Sequence, residues 1–446
     1  MLHAFYRSIV PKPNSDAQRG RLVLRTLVLH FRPARLPEKT LRFSLTWGLG
    51  GMAATLILLQ FVTGILLKFA YVPIPAAAYD SVQWIVIGMP FGRLIRNLHH
   101  WCSHLLVAVV MLHMLRVFFT GAFHPPRQFN WVVGLCLLAV VLVANFTGYL
   151  LPWDQLAYWA VTVSTGMLAY VPLVGELLQD WIRDSGEVGP ATLQMFYSLH
   201  TAVIPAALAG LMAFHFWRVR KARGVVIPRA PEDPYDERPD RVASVPALLL
   251  REITVALVLV AAVLLLSVFF DAPMGDPANP GLSPNPTRAP WYFAGLQELL
   301  LHLHPVFAVC IIPILTVVAL LAIPYLRYPV DSGGIWFASR AGRKTGAVAA
   351  LAGALLTPLW VVLDDISFLD GLLQQGLPPL VGNGLIPTAL LAAAMALFVF
   401  AMRRRFAANR NESVQAIFIL LFCAYGMLTL TGVWFRGAGM DLALPW

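Results

Sequence analysis

The chain has 446 residues, 58% of them hydrophobic and only 13% Asp, Glu, Lys or Arg, with a mean hydropathy of +0.69. A typical soluble domain carries about 25% charged residues. The composition therefore excludes a cytosolic enzyme, a coiled coil and a disordered chain, and points to a membrane protein. Four cysteines, Cys102, Cys136, Cys310 and Cys423, stand singly in apolar stretches. With no CxxCH and no paired-cysteine spacing, a c-type haem, zinc or iron–sulfur centre has to belong to another subunit.

In chain order, residues 1–44 form a basic segment interrupted by Pro11, Pro13, Pro33 and Pro37, without a cleavable signal pattern. Within it, RGRLVLRTLVLHF (19–31) has the character of a surface amphipathic helix. Apolar runs follow near 45–70, 95–119, 131–151, 196–217, 248–270, 306–326, 346–363, 384–402 and 414–433. About 20 residues are needed to cross ~30 Å of hydrocarbon. The expected fold is thus an all-α polytopic membrane protein of about nine spans, the run at 346–363 being the weakest. Segment 224–247 reads as a solvated linker between a four-helix part (45–223) and a C-terminal membrane part (248–446).

Charge orients the spans. With the N-terminus cytoplasmic, 27 of the 33 Lys and Arg fall on that side. Arg93, Arg96, Arg183, Arg288 and Arg436 fall on the other, and Lys68 ends the first span. This is a strong positive-inside signal. It explains the net charge of +10 by topology and anionic lipid rather than by nucleic acid. Nine spans put the C-terminus on the positive, exoplasmic face, as are the long loops 152–195 and 271–305.

Histidines mark the second and fourth spans. His99, His100, His104 and His113 lie in one, His200 and His215 in the other. Intramembrane histidine is costly and by default functional. Fourteen residues bring a helix about 40° short of four turns while rising ~21 Å. His99 and His113 therefore share a face near opposite sides of the membrane; His100 and His104 do not share it with His113. His200 and His215 are fifteen apart, about 60° off a common face, an offset that a distortion at Pro205 can absorb. The two spans run in the same direction, so His99 faces His200 and His113 faces His215. Two such pairs can clamp two b-type haems by bis-imidazole ligation. Carbonyl-bonded single histidines and a proton relay are the competing explanations.

A macrocycle also needs space. Gly50 and Gly64 on the first span, and Gly134 and Gly148 on the third, repeat the fourteen-residue period, and glycine permits close approach of a backbone. Arg96 and Arg116 lie three residues outside the ligand pair, where propionates would be reached, or where an arginine simply snorkels.

These residues, with GYLLPWDQLAYWAV (148–161), FYSLHTAVIP (196–205), FGRLIRNLHHW (91–101) and FHFWRVRKARG (214–224), resemble cytochrome b of Rieske/cytochrome b complexes, from about residue 40 to 224. The fifteen-residue spacing is similar to the b6 type. NPTRAPWYFAGLQELL (285–300) resembles the quinol loop of the C-terminal half, so the chain looks like a fused b6-plus-subunit-IV protein with two additional spans.

The resemblance implies quinol oxidation at the positive side. One electron passes to a Rieske protein and a c-type cytochrome or plastocyanin-like acceptor. The other crosses from haem on His99/His200 to haem on His113/His215, with proton translocation. It further implies separate Rieske and cytochrome subunits, a homodimeric respiratory-chain complex, a bacterial plasma membrane, and quinone reduction near Arg220. Arg220 also belongs to a cationic membrane-anchoring cluster with Arg218, Lys221 and Arg223.

The chain departs from the family in three ways. Gly48 stands where the b6 type has a cysteine, so no covalent haem c is expected. The PEWY glutamate is replaced by Pro290 in Ala289-Pro290-Trp291-Tyr292. Tyr292 remains as a quinol hydrogen-bonding candidate, with Asp154 or Glu298 as substitute bases. The two additional spans suggest a lipid-facing layer or a docking surface. A non-bifurcating dihaem anchor for another redox complex is the alternative function, favoured by Pro290; a haem-free transporter leaves the histidine arithmetic unexplained.

Overall fold

The computed structural model describes residues 15–18, 33–183, 186–227, 240–328, 339–366 and 376–444. The amphipathic stretch expected at 19–31, most of segment 1–44 and the middle of linker 224–247 lie outside the described residues.

The N-terminal elements are β1 (Arg35–Pro37), α1 (Leu49–Lys68), α2 (Pro75–Ile87), α3 (Gly92–Phe119), α4 (Gln128–Tyr149), α5 (Gln155–Gly166), α6 (Gly175–Arg183) and α7 (Pro190–Lys221). The C-terminal elements are β2 (Arg241–Ala243), α8 (Ser244–Phe269), α9 (Trp291–His302), α10 (Val306–Tyr325), α11 (Arg340–Asp365), α12 (Leu380–Phe406) and α13 (Arg410–Trp434). Among the described residues, nine of these helices (α1, α3, α4, α7, α8 and α10 to α13) are long and apolar enough to cross a membrane. They coincide with the nine apolar runs. The run at 346–363 lies within the 26-residue α11. Its N-terminus extends into polar sequence because the Ser339 hydroxyl accepts from the Gly342 amide at 3.0 Å.

Among the described residues, the all-α architecture has one small exception. β1 pairs antiparallel with β2, Leu36 opposite Val242, and so joins the segment before α1 to the residue run leading into α8. The two membrane parts share a core. Leu56 of α1, Leu106 of α3, Val141 of α4, Leu208 of α7, Val263 of α8 and Tyr292 of α9 belong to one apolar cluster. Asn97 donates to the Ser267 carbonyl at 3.0 Å, and Trp101 to the Phe270 carbonyl at 2.9 Å, which locks α3 to the end of α8.

Three spans contain a π-helical turn: Leu199–Val203 in α7, Val306–Ile311 in α10 and Leu380–Leu385 in α12. Each is followed two residues later by a proline: Pro205, Pro313 and Pro387. Proline lacks the N–H that an α-helical bond requires, and a wide turn is one way for the chain to rearrange its carbonyls around that gap.

The two additional spans differ. α12 is peripheral, with only 6% of its central window buried. α13 is packed between α9 and α11. A Cβ on Gly353 of α11 would lie 2.6 Å from the Leu420 carbonyl, and one on Gly432 of α13 would lie 2.9 Å from the Ala294 carbonyl. Such close approach needs the small residues found there. An exposed layer, whether lipid-facing or docking, is therefore formed by α12, whereas α13 is corrected to a packed helix of the C-terminal part.

Candidate functional site

α3 and α7 carry the two histidine pairs. The imidazole centroids of His99 and His200 are 6.2 Å apart and those of His113 and His215 are 6.5 Å apart. The π turn of α7 encloses His200. It takes up about one extra residue, which accounts for a fifteen-residue interval on α7 opposite a fourteen-residue interval on α3.

Hydrogen bonds orient the first pair. The Thr63 hydroxyl donates to the Leu59 carbonyl at 2.7 Å, so its oxygen accepts from His99 Nδ1 at 2.8 Å. His200 Nδ1 donates to the Ala144 carbonyl at 3.0 Å. With the proton on Nδ1, Nε2 keeps its lone pair, the state a metal-ligating imidazole needs.

Each glycine of the fourteen-residue period opposes one histidine. An ideal Cβ on Gly64 would sit 3.3 Å from His99 Cε1, and one on Gly50 would sit 3.3 Å from His113 Cε1. On α4, a Cβ on Gly148 would come within 2.5 Å of His200 Cε1, and one on Gly134 within 3.7 Å of His215 Cε1. Gly148 thus has no room for a side chain with His200 as it stands. This fits residues arranged to admit a flat group beside each imidazole pair.

The two arginines differ. Arg116 donates through Nε to the Leu45 carbonyl at 3.0 Å, while its buried Nη2 has no partner. It suits a propionate. Arg96 instead directs Nη1 to the Ala272 carbonyl at 2.8 Å and Nη2 to the Pro273 carbonyl at 2.7 Å. The expectation for Arg96 is corrected: both guanidinium ends hold the loop after α8.

The quinol-loop candidates also separate. Asp154 is 8% exposed and caps α5, Oδ1 accepting from the Ala157 amide at 2.9 Å and Oδ2 from the Gly275 amide at 3.0 Å. Gln155 continues the clamp, its amide donating to the Asp276 carbonyl at 2.8 Å and its Oε1 accepting from the Asn279 amide at 2.6 Å. As a capping group with both oxygens engaged, Asp154 is not an available base.

Glu298 is fully buried. Its carboxylate accepts from Arg436 Nη2 at 2.5 Å and meets His302 Nε2 at 3.2 Å. His302 Nδ1 lies 2.6 Å from Asp364 Oδ2, and Arg436 Nη1 lies 2.7 Å from Asp365 Oδ1. Burial pushes the Glu298 carboxyl up, but His302 and Arg436 together carry it below the usual carboxylate range. A stabilised carboxylate inside an ion network is a weak proton acceptor, so Glu298 is corrected to a structural role.

Tyr292 is 3% exposed, and its carbonyl accepts from the Tyr425 hydroxyl at 2.9 Å. Burial first, and Tyr149 second, push its phenol upward, so it remains a hydrogen-bond donor. Next to it, the Trp291 indole N–H donates to His104 Nδ1 at 2.8 Å. Arg220 lies half-buried in the last turn of α7, between Arg218 over the Phe129 ring and Lys221 over the Trp217 ring.

Two features escape a reading of the sequence. Arg436 follows the last span and Asp364-Asp365 ends another; their pairing is invisible until α11 and α13 are packed. His104 stands off the face shared by His99 and His113, a signal that it serves another neighbour.

The fold and site define an integral membrane protein with paired imidazoles inside a helical bundle. Residues 38–223 match the cytochrome b/b6/petB family. The chain is 46% identical over 173 residues to cytochrome b6 of Synechocystis sp., covering 39% of this chain and 78% of that protein. It is 44% identical over 173 residues to cytochrome b6 of Synechococcus elongatus, covering 39% of this chain and 80% of that one. A chain of a hyperthermophilic respiratory Complex III shares the fold, with a TM-score of 0.65 and 24% identity over 91% of this chain and 97% of that chain. The chain belongs to the cytochrome b/b6 family. The likeness to the Complex III chain extends well beyond the b6-like region, so its fold continues into the C-terminal spans.

Proposed function

We propose that this protein is the dihaem cytochrome b subunit of a quinol:cytochrome c-type oxidoreductase, oxidising quinol on the positive side of the membrane. Membership of the family makes it a b-type haem protein and a cytochrome b subunit of a quinol oxidoreductase complex. The observation that carries the finer reading is the one-to-one opposition of four histidines and four glycines at two depths. His99 with His200, and His113 with His215, hold the two haems. Bound there, haem supplies a one-electron redox centre at each depth.

The chain's own residues then have definite tasks. Thr63 and Ala144 fix the imidazole tautomers of the first pair. Arg116 neutralises a propionate with its unpartnered nitrogen. Tyr292 donates a hydrogen bond to quinol, while Asp154 and Gln155 hold the loop after α8 to the start of α5. Arg220 serves quinone on the cytoplasmic face, beside cations that bind anionic lipid. A Rieske protein and a c-type cytochrome are separate subunits, and two such complexes form a homodimer. The proposed units are a b6-like one at 45–223 and a subunit-IV-like one after a linker beginning at 224, with β2 and the first turn of α8 occupying the linker's end at 241–247.

The non-bifurcating anchor keeps one observation in its favour. Pro290 replaces the usual glutamate, and both substitute carboxylates are engaged elsewhere. Redox titration of the purified complex with optical spectra in the b-haem band tests the central reading. Two b-type components are expected, one lost selectively in His99→Ala and the other in His113→Ala. A single component, or none in folded protein, overturns it. Electron delivery from quinol that persists after removal of the Rieske subunit would select the anchor.

A further inference from the structure

His104 is a buried-side imidazole that the proposed mechanism does not use. On α3 it lies about 140° around the helix from His99 and about 40° from His100. α3 therefore presents one face to α7 through His99 and His113, and another to α9 through His104. There the Trp291 indole N–H donates to His104 Nδ1 at 2.8 Å. The His104 ring is 4.5 Å from that of His100, 6.1 Å from that of Trp101 and 6.2 Å from that of Tyr292.

Trp291 and Tyr292 open α9, whose N-cap is Pro290 and has no side-chain capping bond. Phe293 packs on Phe146 of α4 at 6.1 Å between ring centroids, but the hydrogen bonds of the rest of the segment stay within it or run to the side of α13. Gln297 folds it onto itself through the Ala289 amide at 2.7 Å and the Thr287 carbonyl at 2.7 Å. Arg288 donates to the Val433 carbonyl at 3.1 Å, and Tyr425 to the Tyr292 carbonyl at 2.9 Å, both from the side of α13. The indole–imidazole bond runs the other way, across to α3.

We infer that His104 is a positioning residue for quinol oxidation: its Nδ1 accepts the Trp291 indole N–H and so fixes the first turn of α9, and with it Tyr292, against the haem-bearing helix. The inference rests on the quinol-oxidase reading and deepens it. A part-buried indole N–H favours an acceptor, and an imidazole with its proton on Nε2 provides one. Through the bond at Nδ1, His104 acts by way of Trp291 on the first turn of α9. Tyr292 then meets quinol at a set distance, which appears in the quinol KM rather than in the haem spectrum.

Three variants of the whole complex test this. Asn places an amide oxygen close to the position of Nδ1, whereas Leu fills the volume without an acceptor. His104→Leu is expected to raise the quinol KM about ten-fold, in line with a lost buried hydrogen bond, with both b-haem bands unchanged. His104→Asn is expected to restore the KM to within about two-fold, and Trp291→Phe to match His104→Leu, with no further loss in the double variant. The hydrogen-bond marker of the Trp291 indole in ultraviolet resonance Raman difference spectra, isolated by subtracting Trp291→Phe, should shift in His104→Leu and return in His104→Asn.

An active wild type with unchanged KM in His104→Leu overturns the role of His104 alone. An Asn variant as impaired as Leu overturns the acceptor argument. Loss of a b-haem band in His104→Leu assigns the residue to the haem bundle and likewise overturns it. A wild type that oxidises no quinol overturns the quinol-oxidase reading on which the inference stands, and the Raman signal then separates that failure from a missing indole bond.

Discussion

Two clusters of buried polar groups, one in each half of the membrane domain, are used in opposite ways. Among α1, α3, α4 and α7, His99 and His200 are fixed at Nδ1 and leave Nε2 available, while Arg116 Nη2 and His215 Nδ1 stay unpartnered. Around α9, α11 and α13, Glu298, His302, Asp364, Asp365 and Arg436 join into one ion network. The first arrangement retains bonding capacity for a group the polypeptide does not supply. The second consumes its capacity internally and works as a clamp on the helix that carries Tyr292. Buried polarity alone therefore does not mark a reactive site; residual valence does.

The sharpest way to break the contrast is to remove the clamp's cation. Arg436→Met leaves Glu298 and Asp365 without their guanidinium and is expected to cost about 3–5 kcal/mol, read as a lower Tm of the detergent-solubilised complex. A Tm unchanged in that variant would show that the network does not hold the C-terminal half together.

On the other side, the glycines should rank by the space before them. Gly148→Ala forces a Cβ toward His200 and is expected to remove the b-type component of the His99/His200 pair, whereas Gly134→Ala leaves the other component in place. Equal effects at the two sites in a redox titration would remove the steric argument.

The clamp should also titrate. Burial pushes the His302 imidazole down, but Asp364 and Glu298 together hold it above its usual value of 6.5. Its contribution to stability is complete below that unfolded value and is lost as pH rises through the raised folded value. Glu298 has the opposite sign: its contribution is present above the ordinary carboxylate range and fades as pH falls through its lowered value. Tm should therefore decline on the alkaline side, and His302→Asn should flatten that decline. A wild-type Tm that rises with pH over the same window contradicts the assignment.

The smallest effect is expected at Asp154. Asp154→Asn loses one of the two side-chain oxygens that accept from backbone amides, about 1 kcal/mol, while kcat for quinol falls by less than about ten-fold. A collapse of kcat would restore Asp154 as a base.

Spans and haem-ligand candidates were legible because helix periodicity converts spacing directly into shared faces: Gly50, Gly64, Gly134 and Gly148 were picked by period and stand opposite the histidines picked by period. The carboxylates were misread because their partners are remote in sequence. Gly275 lies 121 residues beyond Asp154, and Arg436 lies 138 beyond Glu298. A motif shows a titratable group but not whether a distant backbone amide or cation already holds it. The π turns were half-visible: Pro205 flagged a distortion, but its form, one wide turn, depended on packing.

That wide turn makes the tolerance of α7 to insertions and deletions depend on position. Loss of one residue at 201–203, downstream of His200, would convert the π turn to ordinary α-helix and leave His200 and His215 fourteen apart, in phase with His99 and His113 of α3. The same deletion between residues 206 and 214 would rotate everything below it by about 100°, carrying His215 away from His113 while His200 stays opposite His99. A single-codon deletion scan along this span should therefore separate into a permissive pocket of a few residues and a stretch where one electron carrier is lost and the other kept.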